Sequence, residues 1–328
     1  MGKRISDKFK AWQDTCNQRF YQLKANEEEL NRIFIQIYGL QNEISPIVDD
    51  KDVSVNKADL NREIKSLISY AVGCMFGRYS LDADGICCAG NPFEDCFTLP
   101  QNQKTDIHHE RYYLKTIACQ NTFDPNQHFG AIADNIIPIT DDDYFANDIV
   151  HLFTEFIRIA YDQDTLEENL YFIANALGGK GSPWDTLRTY FLKEFYSDHV
   201  KIYQKRPIYW LFTSGKKNAF QCLIYMHRYR PDTIARIRTD YVHELQSRYH
   251  TAMTTIASHL QSLTGNEAIK RQKQLKQLQD QNAELINFEE KLHHYADQMM
   301  PIDLDDGVKT NYAKLNEILA PIKPGFSS

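Results

Sequence analysis

The chain has 328 residues, of which 42% are hydrophobic, and its formal net charge is −7. This length allows one large domain or two modest ones, and the apolar content is ample for a buried core. Length and composition therefore exclude a disordered chain and predict a folded globular protein.

The N-terminus lacks an apolar run of the length that a signal peptide needs, and no run in the sequence is long enough for a membrane span. Charges recur every few residues in the opening MGKRISDKFKAW. The longest apolar run, LISYAVGCMFG, has 11 residues, whereas a spanning helix needs about 20. Seven cysteines at irregular spacings favour reduced thiols over a disulfide framework. The sequence thus predicts a cytoplasmic protein without a membrane span.

Residues 1–79 predict an N-terminal helical segment. The apolar periodicity indicates one helix from Asp14 to Leu40, with Gly39 at its end, and a second from about Ala58 to Arg78. Both helices are expected to pack into the core along one apolar face. In the first helix, this face contains Leu30, Ile33, Phe34 and Ile37.

Residues 80–140 predict a loop-rich insertion and a candidate recognition region, because Gly, Pro, Asn and Asp are frequent there. Structural zinc sites use closely spaced pairs such as Cys-x-x-Cys, which this region lacks, so no metal site is expected. The residues considered there for zinc binding are Cys87, Cys88, Cys96, His108, His109 and Cys119.

The string AGNPFEDCF resembles the Asn-Pro-Pro-aromatic loop in which amino-methyltransferases hold the target amine. Asn91, Pro92 and Phe93 lack the second proline, and no glycine-rich strand-to-helix turn precedes them. No other nucleophilic or paired-carboxylate arrangement stands out. The sequence therefore predicts no catalytic residue in this chain.

Residues 141–328 predict helices, a basic β-hairpin within 201–230 and a long antiparallel helix pair near the C-terminus. The runs RPIYWLF and AFQCLIYMHRY flank the turn residues TSGKKN, which is typical of a hairpin. The helix pair is expected at Thr233–Leu263 and Ala268–Met300. GGKGSPW lacks the ending of a phosphate-binding loop and predicts an interhelical turn. The predicted fold class is mainly α with a β-hairpin or small sheet (α+β).

The stretch from residue 201 to residue 238 is strongly basic. It contains nine cations and one anion, which leaves 28 basic against 43 acidic residues elsewhere. A local positive excess is expected where a surface meets a polyanion, so we predict that these cations share one exposed face that binds DNA. Docking onto an acidic surface of the chain or of a partner, and plain solvation, are the alternatives. The predicted DNA-binding residues are Lys201, Lys205, Arg206, Lys216, Lys217, Asn218, Arg228, Arg230, Arg236 and Arg238.

Six strings of the sequence resemble a known family. They are EEELNRIFIQIYGLQNEI, REIKSLISYAVGCMFGRYSLDADGI, IIPITDDDYFANDIV, TLEENLYFIANALG, YFLKEFYSDHVKIYQKRPIYWLFTSGKKNAFQCLIYMHRYRPDTIARIRTDYV and LDDGVKTNYAKL. Together they are similar to the C-terminal part of the PglX family, the adenine-specific DNA methyltransferases of bacterial BREX anti-phage systems. The same strings are also similar to related fused type II restriction-modification enzymes.

The resemblance implies a C-terminal DNA-binding and target-recognition module of such a methyltransferase. In the family, S-adenosylmethionine and the catalytic loop belong to a domain upstream of this region. The resemblance therefore implies no cofactor in this chain and no methyl transfer by this chain alone. The implied partners are double-stranded DNA, the methyltransferase catalytic domain and other BREX proteins. The alternative is a protein-docking module that contacts the catalytic domain or other BREX proteins through the helices from Thr233 to Met300.

Overall fold

A computed structural model of the protein describes residues 3–89, 92–100, 110–260 and 263–322. Its first two helices are α1 (Ile5–Tyr38) and α2 (Leu60–Met75). The carboxylate of Asp59 accepts a hydrogen bond from the N–H of Arg62 and caps the start of α2. α2 carries most of the longest apolar run into the core. Within the described ranges, no helix combines the length and the apolar content that crossing a membrane requires.

Short elements occupy the described chain from α2 to residue 140: α3 (Phe93–Cys96), β1 (Phe97–Thr98), β2 (Arg111–Leu114), α4 (Lys115–Ala118), β3 (Ala131–Ile132) and β4 (Ile137–Ile139). β1, β2 and β3 form an antiparallel sheet with β2 in the middle. β4 instead pairs with a strand much later in the chain. The segment predicted as loop-rich thus contributes one strand to a second sheet.

Four helices follow β4: α5 (Ile149–Tyr161), α6 (Leu166–Ala176), α7 (Pro183–Tyr190) and α8 (Tyr196–Ile202). The carboxylate of Asp148 accepts hydrogen bonds from the backbone N–H groups of Val150 and His151 and caps α5. A π-helical turn joins α7 to α8. The GGKGSPW stretch forms the predicted turn between α6 and α7, which Gly178 begins with a φ of 84°.

The predicted β-hairpin is confirmed, and it is buried on both faces. It consists of β5 (Tyr209–Thr213) and β6 (Gln221–Tyr225), and β4 pairs with the other edge of β6. Successive side chains point to opposite faces of a strand. Tyr209, Leu211, Leu223 and Tyr225 therefore lie in one core, and Trp210, Phe212, Cys222 and Ile224 lie in another.

The two cores are enclosed by different helices. The first core includes apolar residues of α2, α5, α6 and α7. The second is enclosed by the elements after the hairpin: α9 (Thr233–Arg236), a π-helical stretch (Ile237–Val242), α10 (His243–Leu260), α11 (Gly265–Asp297) and α12 (Gly307–Lys314). α10 and α11 form the predicted long helix pair, which buries Leu278, Leu285 and Leu292 of α11. The predicted mainly α fold with small sheets is confirmed.

The prediction that α1 packs into the core along its whole length is wrong. Its first part is anchored, because Ile5, Cys16 and Phe20 are buried. A helix of 34 residues extends about 50 Å, and the second part of α1 continues past the surface that its first part covers. The apolar face expected in the core is exposed there: Leu30 by 54%, Ile33 by 43%, Phe34 by 54% and Ile37 by 68%.

Candidate nucleic-acid interface

The ten residues predicted to bind DNA do not share one face, which corrects the expectation from sequence. The buried hairpin divides them. Lys201, Lys205 and Arg206, the base group, precede β5, whereas Lys216, Lys217 and Asn218 lie at the hairpin tip. The strands β5 and β6 pair over five residues. They separate the residues at the hairpin tip from the base group by about 16 Å. The third set follows β6 and is called the arginine group: Arg228, Arg230, Arg236 and Arg238.

Arg228 in the arginine group is turned into the protein. Its guanidinium donates hydrogen bonds to the backbone carbonyls of Phe76 at 3.2 Å, Ile132 at 3.0 Å and Ala133 at 2.9 Å. It also lies 3.5 Å from the centroid of the Phe93 ring. Burial lowers the pKa of Arg228 to about 10, so the group stays charged at neutral pH. Arg228 thus fastens the end of β6 to α2 and β3.

The other members of the arginine group have carboxylate partners in the same chain. Arg230 pairs with Glu94, Arg236 Nε lies 3.6 Å from Asp240 Oδ2, and Arg238 Nε lies 2.6 Å from Glu289 Oε1. A cavity of about 210 Å³ beside them has both signs of charge in its walls. For these arginines, the structure matches the alternative in which cations dock onto acidic groups of the chain itself.

Glu284 of α11 fixes the hairpin tip. Its carboxylate accepts hydrogen bonds from the N–H of Lys217 at 2.8 Å, the N–H of Ala219 at 3.2 Å and the hydroxyl of Ser214 at 2.8 Å. A Cβ built on Gly215, where φ is 142°, would lie only 2.7 Å from Glu284 Oε2. The tip therefore needs glycine at position 215 to approach α11 this closely.

Asn218 shapes the tip. Its φ of 52° lies in the left-handed region, which asparagine tolerates better than most residues. Its Oδ1 accepts a hydrogen bond from Gln221 Nε2 at 3.0 Å. This amide oxygen is thus engaged within the turn, and Asn218 helps to hold the two neighbouring lysines beside α11.

The start of α11 extends the positive charge of the tip. Lys217 Nζ lies 3.1 Å from Asp280 Oδ2 of α11. Lys276 and Lys273 precede Asp280 by four and seven residues and so share its helix face. In the part of the chain that the structure describes, the four cations between residues 270 and 276 of α11 have no carboxylate within ion-pair distance. We call the combined set the tip surface: Lys216, Lys217, Lys270, Arg271, Lys273 and Lys276.

The sequence prediction missed the α11 part of this surface, because it treated the basic stretch as ending at Arg238. The signal was present, since residues 270–276 contain four cations in seven positions. Gln272 and Gln274 of this stretch, and Gln277 directly after it, have exposed amide side chains. Lys217 contacts Asp280 of the same helix, so folding places α11 beside the tip lysines, which lie more than 50 positions earlier in the chain.

The base group forms a separate, smaller cationic surface. Lys201 Nζ lies 3.5 Å from Asp198 Oδ1, whereas Lys205 and Arg206 have no carboxylate partner among the described residues. Lys193, Lys201 and Lys205 lie at a hollow of about 630 Å³ whose walls include Leu192, Tyr196, Val200, Leu211 and Ile322. The base group therefore offers free charge beside an apolar depression.

One group of metal-ligand type occurs among the described residues. Asp143, Asp148 and His151 bring three ligand atoms within 4.8 Å of one another. Asp148 already caps α5 and lies 2.5 Å from Arg188 Nη1, so its charge is neutralised. Of the residues considered for zinc and for a catalytic loop, Asn91, His108 and His109 lie outside the described residues.

Comparisons with known proteins find two methyltransferases to which the chain is similar. No family model matches the chain. It is 43% identical over 327 residues to the adenine-specific methyltransferase PglX of Lacticaseibacillus casei (strain Zhang) and 35% identical over 333 residues to the adenine-specific methyltransferase BrxX of Escherichia coli O9:H4 (strain HS). The alignments cover 96% and 94% of this chain, yet it spans only 24% and 26% of those relatives. The chain is therefore a homologue of about one quarter of the adenine-specific methyltransferases PglX and BrxX, a share consistent with the expected C-terminal region.

Proposed function

We propose that this chain is the DNA-binding, target-recognition module of a BREX-type adenine-specific DNA methyltransferase, and that DNA phosphates bind at the tip surface. One observation carries the proposal. Five of the six cations on this surface lack a carboxylate partner among the described residues, although the chain as a whole is acidic. The names of the relatives support the link to adenine methylation.

Free cations bind phosphates more readily than paired ones. A lysine that meets a phosphate releases condensed counterions from the DNA, which favours binding at low salt. Arg228 and Arg238 would first have to give up hydrogen bonds or a carboxylate inside the protein. We therefore leave the arginine group out of the proposed contacts and keep the base group as a second, smaller contact site.

Base recognition requires groups other than the lysines, because phosphate contacts position a duplex without specifying its sequence. Glutamine and arginine side chains read base edges in the major groove. Arg271 and the exposed amides of Gln272, Gln274 and Gln277 lie on the same helix as the proposed phosphate contacts. We propose that the start of α11 contributes to base readout. Methyl transfer from S-adenosylmethionine we assign to the rest of a full-length enzyme.

The alternative of protein docking through the long helix pair has less support. In the described parts of α10 and α11, the large apolar residues that are exposed are Ile269 and Ile286. Scattered single residues of this kind are normal on a protein surface. The apolar faces of both helices are used for the second core.

The test is the salt dependence of duplex binding, measured by fluorescence anisotropy on the purified chain. Lys273→Glu/Lys276→Glu should weaken binding by at least about tenfold, and the log-log salt slope should become shallower by about two, roughly one per lost phosphate contact. The matched control is Lys10→Glu/Arg19→Glu, which makes the same charge change at exposed positions of α1. Equal slopes for the two variants would exclude the tip surface as the contact.

A further inference from the structure

The second part of α1 and the segment after it form an exposed apolar projection, which we call the finger (residues 27–47). Leu30, Ile33, Phe34, Ile37 and Tyr38 fall on one face of the helix at its 100° periodicity. Tyr38 is 71% exposed, and Ile44 and Ile47 of the following segment are 52% and 72% exposed. This face continues the one that buries Ile5, Cys16 and Phe20.

The exposed apolar area is large for a surface that meets only water. Aromatic side chains bury about 150–250 Å² each when fully covered, and those of leucine and isoleucine are smaller, so these seven, which are 43–72% exposed, offer on the order of 600 Å². The largest apolar patch of a typical monomer is about 300–600 Å², whereas one partner of a stable interface buries about 800 Å². The finger thus has the area of a protein contact surface.

The finger is held in shape by its own hydrogen bonds. Gly39 ends α1 with a φ of 70°, and the N–H of Leu40 donates to the carbonyl of Ile35 at 2.9 Å. The returning segment is tied to the helix, since Asn31 Nδ2 donates to the carbonyl of Pro46 at 3.3 Å and the N–H of Val48 donates to Glu28 Oε1 at 3.2 Å. A partner would therefore meet a preorganised surface, which lowers the entropic cost of binding.

We propose that the finger docks into the part of a full-length PglX-type methyltransferase that lies outside the segment matched by this chain. About three-quarters of each relative's length is outside that segment, since the chain spans 24% and 26% of them. The site that receives the finger is an apolar groove. This inference rests on the family relationship and not on the DNA contact, so the two proposals can fail separately.

Charge argues against a second copy of this chain as the occupant. Residues 27–47 contain four glutamates, at positions 27, 28, 29 and 43, and one cation, Arg32. Two fingers packed together would bring a net charge of −3 against another −3, and like charges across an interface are unfavourable. The groove that fits the finger therefore has a basic rim around its apolar floor.

The first experiment uses this chain alone. Sedimentation velocity is expected to show a monomer, and Phe34→Ser/Ile37→Ser is expected to leave the thermal unfolding midpoint unchanged, because neither side chain is packed. Phe20→Ser, which removes a buried residue of the same helix, is expected to lower the midpoint. A dimer that the finger variant dissociates would overturn the proposal in favour of self-association.

The second experiment uses the full-length PglX of Lacticaseibacillus casei. A photocrosslinking benzoylphenylalanine is placed at the position aligned with Phe34 and, as a control, at the position aligned with Lys10. Mass spectrometry should find crosslinks from the first position to peptides outside the matched quarter, and none of these from the control. Crosslinks confined to the matched quarter, or no crosslink above the control, would overturn the proposal. Neither readout depends on DNA binding.

Discussion

The arginine group after β6 and the first turns of α11 each carry four cations, yet the fold uses them in opposite ways. In the arginine group, every guanidinium meets a carbonyl or a carboxylate of the same chain. At the start of α11, no cation is paired with a carboxylate in the described ranges. A charge is therefore available to a ligand according to its partners in the fold, and not according to the local charge count.

Packing explains the contrast. The arginine group lies in a turn and a helix that are packed against the second core. Arg236 and Arg238 are 24% and 26% exposed and have partners within the protein, as polar groups that leave water must. Arg230 is 65% exposed, and its pair with Glu94 lies at the surface. No described residue of α11 before Leu278 is fully buried, and the four cations between residues 270 and 276 are exposed. Charges there cost little to keep unpaired.

Arg228→Ala should produce the largest change in stability. It tests whether the arginine group stabilises the fold through contacts inside the protein. Three backbone carbonyls would lose their donor inside the protein, and we expect a loss of about 3 kcal/mol in the free energy of unfolding. Urea denaturation measures it. Arg206→Ala, at an exposed position, is the control and should change little. An equal effect of both substitutions would mean that the hydrogen bonds of Arg228 to the three carbonyls do not stabilise the fold.

Acid should lower the stability of the folded chain through His199, a buried residue of α8. Its Nε2 accepts a hydrogen bond from the N–H of Tyr209 at 3.1 Å, and burial together with the nearby Arg78 lowers the pKa of His199 to about 3. Because its pKa is higher when unfolded, the unfolded chain binds the proton first. Stability is therefore complete above about pH 6.5 and falls below it, by about 2 kcal/mol at pH 5 for this group.

The variant that isolates this group is His199→Gln, followed by urea denaturation at several pH values between 7 and 5. Glutamine can still accept a hydrogen bond from Tyr209 but does not take up a proton. We expect a shallower decline of stability with falling pH than in the parent chain. An identical decline in both proteins would assign the acid sensitivity to other groups.

Glu284→Gln tests how the tip surface is held in place. The amide would present a donor where the carboxylate now accepts from the N–H groups of Lys217 and Ala219, so we expect a loss of about 1.5 kcal/mol in unfolding free energy. Glu290→Gln, an exposed position on the same helix, is the matched control. DNA affinity should also fall for Glu284→Gln, although this variant is less acidic than the parent. Tighter binding by it than by the control would contradict a positioning role.

Much of the fold could be predicted from sequence because its signals are local. The helix α2, the glycine-rich turn before α7 and the hairpin around the TSGKKN turn each follow from periodicity and turn residues within about 20 positions. The exposure of the finger could not be predicted, because its apolar residues repeat with the same periodicity as the buried part of α1. Only the structure shows at which point along α1 the helix no longer packs against other elements.

The candidate site was less predictable, because partners of charges are distant in sequence. Arg228 donates to carbonyls 152, 96 and 95 positions away, and Lys217 meets Asp280 63 positions away. Periodicity and turn residues in a short stretch of sequence do not predict contacts between residues so far apart. The cations of α11 were visible in the sequence, but their proximity to the hairpin tip depends on the contacts of Glu284.

Asp280→Asn should have the smallest effect of these substitutions, because it only frees the charge of Lys217, which is now paired with Asp280. Lys217 and Asp280 are 57% and 43% exposed, and ion pairs of this kind add little stability, so the thermal midpoint should stay constant. If the tip surface binds phosphates, the freed Lys217 should strengthen duplex binding a fewfold and steepen the salt slope by about one. Adding Lys217→Ala should abolish the gain, whereas Asp14→Asn on α1 should not produce it. Asp280→Asn thus separates charge availability from charge count, because Asp14→Asn changes the net charge equally without releasing a cation at the tip.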